Sequence, residues 1–214
     1  MIDSEKTKQL LEGVSGVIHI GAHRGEESSV YDAMGVDKVT WIEPNPDIFK
    51  ELLHYTKTNN FGFESEYHMV ACGSETKSDE PFHIVYGPDA GWMVGNKGCS
   101  SLLKPVSTRF QQWHEKTITV PVSKLDDLIT NPEDYQFMNI DTQGAEVLVL
   151  SGATETLKHL NYVMCEVTWN NFEYENNATF DQVVTVMNRN GFSLSQVFPA
   201  TKDWGDALFI KENK

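Results

Sequence analysis

The segment VIHIGAHRGEES, residues 17–28, decides the fold of this chain. Four residues typical of a buried strand run into a loop with glycines at positions 21 and 25, and acidic residues then open a helix. A strand, a glycine-rich turn and a helix in this order usually surround a ligand. The rest of the chain indicates which ligand this is.

The composition is that of a globular protein with an acidic balance of charge. The chain has 214 residues, enough for one α/β domain and too few for two ordinary ones. It carries 17 Lys and Arg against 31 Asp and Glu, for a formal charge of -14. Such a charge repels phosphate backbones and anionic lipid, so we expect no nucleic-acid partner and no role at a membrane surface.

The cysteines point to a reducing compartment. The three of them, Cys72, Cys99 and Cys165, are too few and too far apart for a zinc site, and their odd number argues against a disulfide framework. The first residues are charged where a signal peptide is apolar, and no apolar run approaches the about 20 residues of a membrane span. We therefore expect a cytoplasmic protein without a membrane span.

Predicted strands alternate with predicted helices along the chain. The pattern predicts strands at 17–20, 38–42, 67–71, 137–140, 162–167, 193–198 and 207–211. It predicts helices at 4–12, 26–34, 47–58, 147–157 and 180–190, and a short helix through residue 129 that Ser123 caps. The alternation is typical of a mostly parallel sheet with helices on both faces, and one closing strand is expected to be antiparallel. Ligands of such sheets bind at the carboxyl ends of the strands.

Two ligand classes suit a glycine loop followed by an acid at the end of the second strand: dinucleotides and S-adenosylmethionine. Both present a ribose diol to that acid, here Glu43, whose carboxylate can accept from both hydroxyls. Dinucleotide sites use GxGxxG to cradle a pyrophosphate, whereas Gly21 and Gly25 are spaced GxxxG. Glu26 and Glu27 at the helix start would repel a pyrophosphate but tolerate a sulfonium. The loop favours S-adenosylmethionine, and a nucleotide-cofactor oxidoreductase or a non-catalytic binding module are the alternatives.

Six segments, in order, resemble those of the FkbM-type methyltransferases. They are VIHIGAHRGEES (17–28), WIEPNP (41–46), VACGSET (70–76), GCSSL (98–102), VSKLDDL (122–128) and FMNIDTQGAEVLVLSGA (137–153). The resemblance implies a class I, Rossmann-like methyltransferase fold with a seven-stranded sheet and an antiparallel last strand. It also implies S-adenosylmethionine as donor and an alcohol oxygen, often on a sugar or polyketide, as acceptor. The chain departs from the common family pattern at His19, His23 and Asn139, where many members carry Asp, Asn and Lys.

The resemblance also implies which residues contact the donor. They are Gly21, Ala22, His23, Gly25, Glu43, Pro44, Ala71, Cys72 and Asp141. His23 is expected near the donor's carboxylate, and Arg24 is expected to pair with that carboxylate or with Glu27. A carboxylate before Pro44 has little structural purpose, which favours ribose binding by Glu43. His19 is expected to be a buried histidine that is hydrogen-bonded to the backbone.

Acids end two neighbouring strands and are candidates for the chemistry. Asp141 follows the fourth core strand and Glu166 ends the fifth, and His23 is a reserve candidate for the base. The two acids would orient the acceptor hydroxyl, take its proton or hold Mg²⁺ or Mn²⁺. The structural alternative is that Asp141 binds the turn at Gln143 and that Glu166 caps a loop. Glu146 is expected to stabilise the start of the following helix.

A long irregular stretch, about 74–116, interrupts the pattern of one domain over residues 1–214. It holds a predicted strand at 81–86 and glycine-rich residues 87–103, and a β segment at 118–122 follows it. Such a stretch is more often a functional loop than a packing element, so we expect it to bind a small-molecule or glycan acceptor. Trp92 and Trp169 are candidates for stacking on a sugar, whereas Trp41 is expected in the core. Cys72 is not expected to act as a nucleophile.

Overall fold

The computed structural model describes residues 11, 13–86, 98–106, 114–169 and 173–212. The predicted helix at 4–12, apart from residue 11, and Trp92 lie outside these residues, as do 87–97 of the glycine-rich segment. None of the described helices is long and apolar enough to cross a membrane.

Within the described residues, ten strands form two sheets. They are β1 (Gly16–Ile20), β2 (Lys38–Ile42), β3 (Glu64–His68), β4 (Ala71–Cys72), β5 (Lys77–Tyr86), β6 (His114–Ser123), β7 (Phe137–Ile140), β8 (Tyr162–Thr168), β9 (Phe192–Pro199) and β10 (Trp204–Lys211). The main sheet has seven strands in the order β3-β2-β1-β7-β8-β10-β9. Its first five strands pair in parallel, and β10 is antiparallel to both of its neighbours. The predicted seven-stranded sheet with an antiparallel last strand is confirmed.

Helices connect the strands on both faces of this sheet. They are α1 (Ser28–Ala33), α2 (Pro46–Thr58), α3 (Leu125–Leu128), α4 (Glu146–Ser151) and α5 (Phe180–Arg189), with 3-10 turns at Pro132–Asp134 and Thr156–Lys158. The sequence sets the helix ends. Asn45 caps α2 by accepting from the Asp47 backbone, and Thr179 and Gln182 form a capping box on α5. Gly35 and Gly191 follow α1 and α5 with positive φ, as residues after a helix C-terminus often do.

The core lies in two layers because successive strand residues point to opposite faces. In β8, for example, Val163 and Cys165 belong to the layer with α3, α4 and α5. Met164 belongs to the layer with α1 and α2, which also holds Trp41. Trp41 is fully buried, so its predicted place in the core is confirmed.

The second sheet, in the order β4-β6-β5, changes three predictions. The third strand of the main sheet is Glu64–His68, whereas Ala71–Cys72 pairs with β6 in the second sheet. The stretch 74–116 is not irregular throughout, because β5 and β6 form a long antiparallel pair that begins at Lys77. The position that caps α3 is Lys124 rather than Ser123, whose hydroxyl donates to the Lys124 carbonyl instead.

Candidate active site

A cavity of about 550 Å³ opens at the carboxyl ends of β1, β2, β7 and β8. This size suits a ligand of the dimensions of a nucleoside with its substituents. Nearly all of the predicted site residues line this cavity: Gly21, Ala22, His23, Glu43, Pro44, Ala71, Cys72, Asp141 and Glu166. Gly25 is the exception, and Arg24 does not line it either. All of the predicted site residues except Gly25 therefore lie around one cavity, and their roles stay predictions.

The two loop glycines serve the fold of the loop itself. Gly21 has a φ of +77°, and a Cβ on it would lie 1.8 Å from the Asp141 carbonyl oxygen. Gly25, with the same φ, is packed under the loop, where a Cβ would lie 2.7 Å from Leu52 of α2. Close approach to a donor is therefore not needed to explain either glycine. Gly25 is buried and is not among the residues that line the cavity, so its predicted contact with the donor stays a prediction.

Glu43 holds the backbone of two segments at once. Its side chain is 6% exposed, and its carboxylate accepts from the His23 backbone N–H at 3.0 Å and from the Asn45 N–H at 2.8 Å. The view that this carboxylate has little structural purpose is wrong. Burial raises the pKa of Glu43 to about 7, against the opposing effect of these hydrogen bonds. Each oxygen keeps a second lone pair, so the group can still accept from ligand hydroxyls.

The side chains of His23 and Arg24 in the first loop point in different directions. His23 has a φ of +46°, and its Nδ1 lies 2.7 Å from Glu26 Oε1. Its Nε2 atom is buried and has no hydrogen-bond partner among the described residues, although the residue lines the cavity. Arg24 turns away and pairs with Glu51 on α2 at 2.5 Å. Its partner in the structure is therefore Glu51 rather than Glu27, and the predicted contact of Arg24 with the donor's carboxylate stays a prediction.

A buried polar cluster borders the cavity below this loop. Asn139 Nδ2 donates to His19 Nε2 at 3.1 Å, and His19 Nδ1 donates to the Tyr31 hydroxyl at 3.2 Å. His19 was expected to bind the backbone, but side chains on β7 and α1 satisfy both of its nitrogens. Burial lowers the pKa of His19 to about 4, so the ring is neutral. His19 on β1 and Asn139 on β7 are register partners. The two positions, at which the chain departs from the family pattern, therefore contact each other.

Asp141 and Glu166 are joined by a single amide. Gln143 Nε2 donates to Asp141 Oδ1 at 2.7 Å and to Glu166 Oε2 at 2.8 Å. Burial first, and then the charges of Asp141 and other nearby acids, raise the pKa of Glu166 well above its usual range. The Asp141 carboxyl is open to the cavity, and its pKa is raised mainly by desolvation. Both carboxyl groups therefore bind a proton more readily than isolated acids do, and the rise in pKa is larger for Glu166 than for Asp141.

Glu146 stabilises the loop that leads into α4. Its Oε1 accepts from the backbone N–H groups of Thr142 and Gly144 and from the Thr142 hydroxyl, at 3.0 to 3.1 Å. The expected role of Glu146 at the start of the helix is confirmed in this form. Because the side chain is 3% exposed, burial raises its pKa to about 7.

Some wall residues were not predicted from the sequence. At the end of β8 and in the segments after it, the cavity is lined by Thr168, Tyr174, Asn177 and Trp204. The polar run TWNNFEYENNAT, which directly follows the end of a core strand, was the available signal. Trp169 is not in the wall, because its indole N–H donates to the Lys202 carbonyl at 2.7 Å. Asn170 and Asn171 lie outside the described residues.

The described residues also bear on two other expectations, a possible metal site and an unreactive Cys72. Among them, no group of three or more His, Cys, Asp or Glu side chains is arranged to hold a metal ion. Cys72 is buried, which raises the pKa of its thiol to about 12. A group with that pKa is not a nucleophile near neutral pH, as expected.

Comparisons with known proteins agree with this geometry. The model of the methyltransferase FkbM domain matches residues 19–194. The search of curated proteins gives no match. Among solved structures, the magnesium protoporphyrin IX methyltransferase of Synechocystis PCC 6803 with bound SAH is 8% identical, with a TM-score of 0.54 over 97% of this chain and 81% of that one. A putative tRNA methyltransferase of Streptococcus pneumoniae in complex with S-adenosyl-L-methionine is also 8% identical, with a TM-score of 0.53 over 98% and 74%. These structures show a shared class I methyltransferase fold.

Proposed function

Because the chain belongs to the FkbM methyltransferase family, we propose that it transfers a methyl group from S-adenosylmethionine to an alcohol oxygen. The acceptor in this proposal is a sugar, a glycan or a natural product. All three cysteines are buried and outside any disulfide, which supports a reducing compartment, and we place the reaction in the cytoplasm. The oxidoreductase alternative has no support in the family match.

The chemistry of the cavity wall fits S-adenosylmethionine. In this proposal Glu43, at the end of β2, accepts the ribose hydroxyls through the lone pairs that the His23 and Asn45 N–H groups leave free. Ala71 and Cys72 give an apolar wall for the adenine. The buried, unpartnered Nε2 of His23 meets the amino-acid end of the donor. With Nδ1 bonded to Glu26, that atom accepts from an ammonium group or, when the ring is protonated, donates to a carboxylate.

The bound donor supplies an electrophilic methyl group, and the protein has to supply a place for a proton. An alcohol is a poor nucleophile until its proton leaves, and a positioned base typically contributes about 10² to 10⁴-fold. Asp141 is the base in this proposal, because its carboxyl is open to the cavity, whereas Glu166 is more buried and its pKa is raised further. The hydroxyl proton passes to the Asp141 carboxylate as the oxygen–carbon bond forms. Gln143 fixes both acids and leaves Asp141 open to the cavity.

One observation carries this proposal: the Asp141–Gln143–Glu166 arrangement faces the same cavity as Glu43. The test is transfer of a radiolabelled methyl group from S-adenosylmethionine to a panel of glycans and polyols. Asp141→Asn should bind S-adenosylhomocysteine within a few-fold of the wild type and lose at least about 100-fold in turnover. Asp181→Asn, an exposed acid on α5 outside the cavity, is the matched control and should keep full turnover.

Three results would count against the base. Full turnover by Asp141→Asn would refute the assignment of Asp141. Turnover that a chelator abolishes and Mg²⁺ or Mn²⁺ restores would replace the simple base by a metal-bound hydroxyl. Donor binding without transfer to any alcohol in the panel would favour the non-catalytic binding module.

A further inference from the structure

Three tryptophans lie in the described part of the chain, and the structure accounts for two of them. Trp41 is fully buried and belongs to the core layer that holds α1 and α2. Trp169 packs against the other core layer, and its indole N–H donates to the Lys202 carbonyl. The third, Trp204, lines the cavity, and neither the core nor a hydrogen bond accounts for its ring.

The Trp204 side chain is only partly buried. It belongs to none of the hydrophobic clusters that the described residues form. Its indole N–H has no hydrogen-bond partner among the described residues, and it is not one of the buried polar atoms that lack a partner. This N–H is therefore accessible. The residue offers the cavity an aromatic face together with a hydrogen-bond donor.

The pairing of β8 with β10 explains why this ring reaches the cavity. Because β10 is antiparallel to β8, its first residue, Trp204, lies opposite Thr168 at the carboxyl end of β8. Asp206 lies opposite Glu166 in the same register. Side chains alternate along a strand, so Trp204 and Asp206 share the face on which Glu166 meets Gln143. Trp204 is therefore one pair of residues farther out than Glu166 on the same face of the sheet.

The order of the strands puts Trp204 on the acceptor side of the proposed base. The strands run β2-β1-β7-β8-β10, and Glu43 follows β2, Asp141 follows β7 and Trp204 begins β10. A donor held at Glu43 reaches Asp141 from one side and leaves the side of β10 for the acceptor. Neighbouring strands lie about 4.8 Å apart, so roughly 10 Å separates the backbones of β7 and β10. The indole and one sugar ring together fill a gap of this width.

The wall beside the indole is polar. Thr168, Glu166 and Asp206 line the cavity next to Trp204. An acceptor that is apolar on its edges as well as its faces would desolvate these groups without replacing their contacts with water. A sugar ring presents C–H groups to the indole and hydroxyl groups to the polar side chains. An open-chain polyol has the same hydroxyl groups but no flat face.

We propose that Trp204 is a specificity-determining residue of the acceptor site. Its indole stacks on the ring of a sugar whose reacting hydroxyl lies at Asp141, so that cyclic sugars are selected over open-chain polyols. The inference rests on the proposed function, because it names the class of acceptor for the same cavity. Trp204 takes the role that the sequence suggested for Trp92 and Trp169.

The test compares rings with open chains of the same hydroxyl chemistry. The full, isotope-labelled chain is saturated with S-adenosylhomocysteine and titrated with the methyl pyranosides of glucose, galactose and mannose, each against its own alditol: sorbitol, galactitol or mannitol. Heteronuclear NMR follows the indole N–H peaks, and the Trp204 peak is the one absent from Trp204→Phe. At least one pyranoside should shift this peak saturably and bind at least about five-fold more tightly than its alditol. The Trp169 peak should stay in place, because the Lys202 carbonyl holds its N–H.

Two variants separate stacking from structural support. Trp204→Ala should bring the affinity ratio of pyranoside to alditol close to one, and Trp204→Phe, which keeps a flat ring, should retain most of the preference. Both should bind S-adenosylhomocysteine within two-fold of the wild type, and a structural role would not change the ratio selectively.

Three results would overturn the inference: no shift of the Trp204 peak by any pyranoside, an unchanged ratio in Trp204→Ala, or tighter binding of benzyl alcohol, a flat aromatic alcohol, than of every pyranoside. Failure of S-adenosylhomocysteine to bind the wild-type chain would instead overturn the proposed function.

Discussion

Gly21→Ala tests whether the first loop glycine is required by the protein or by the ligand. In the wild type, Gly21 has a φ of +77° and sits where β1 and β7 end side by side. A Cβ would lie 1.8 Å from the Asp141 carbonyl oxygen, whereas ordinary contacts begin at 3.4 Å. The ends of the two strands would have to separate, and the Asp141 N–H donation to the Ile20 carbonyl at 3.0 Å would be strained.

Gly35→Ala is the matched control. Gly35 has a φ of +72°, and a Cβ there would have nothing within 4 Å, so this variant isolates the backbone cost of about 1–2 kcal/mol. Gly21→Ala adds an overlap that typically costs a further ~1–3 kcal/mol. We expect a total loss of about 2–5 kcal/mol in the free energy of unfolding, a large part of the stability of an ordinary domain.

Urea unfolding of both variants, followed by circular dichroism, measures the two losses. Equal losses in Gly21→Ala and Gly35→Ala would refute this reasoning. If Gly21→Ala then also failed to bind S-adenosylhomocysteine, the glycine would be required by the ligand rather than by the strand ends.

Two further predictions follow from the charges. Glu43 and Glu146 have pKa values raised from 4.5 to about 7, so the folded state binds these protons more tightly than the unfolded chain does. The stability they give is complete below pH 4.5 and is lost as the pH rises through 7, at most about 3 kcal/mol per group. Thermal melts should fall from pH 5 to pH 8, and Glu146→Gln should flatten that fall; a melting temperature that rises over this range would contradict the assignment. Arg24→Ala should cost about 0.2–1 kcal/mol in urea unfolding, because its ion pair with Glu51 is largely exposed, and should leave S-adenosylhomocysteine affinity unchanged in calorimetry. A ten-fold loss of affinity would return Arg24 to the donor site.

Apolar runs predicted the strands at the centre of the sheet, whereas the polar edge strand β3 was misplaced. Phe137–Ile140 is the predicted strand residue for residue, since it is buried on both faces. The third strand was misplaced because β3, ESEYH, is a polar edge strand, whereas the apolar residues that follow it pack into the second sheet. The β5–β6 pair joins segments separated by about 30 residues, and no local pattern reports such a pairing.

In the site as well, local sequence predicted positions at strand ends but did not predict which side chains contact each other. The rule that ligands bind at strand ends located Glu43, Asp141 and Glu166. Arg24 pairs with Glu51 because α2 packs against the loop. No spacing in the sequence encodes this packing. Likewise, His19 and Asn139 are two separate departures in the sequence, and only the β1–β7 register makes them partners.

The most direct test of the account is calorimetric titration of S-adenosylmethionine into the wild type and Glu43→Ala at pH 8, where Glu43 is ionised. The account predicts saturable binding to the wild type. It predicts binding to Glu43→Ala that is weaker by about 1.5–3 kcal/mol, or roughly 10 to 150-fold, because a charged hydrogen-bond partner of the ribose is removed. The loop at His23 also loses an anchor, which acts in the same direction. Equal affinity of the two proteins, or no binding to the wild type, would contradict the central claim.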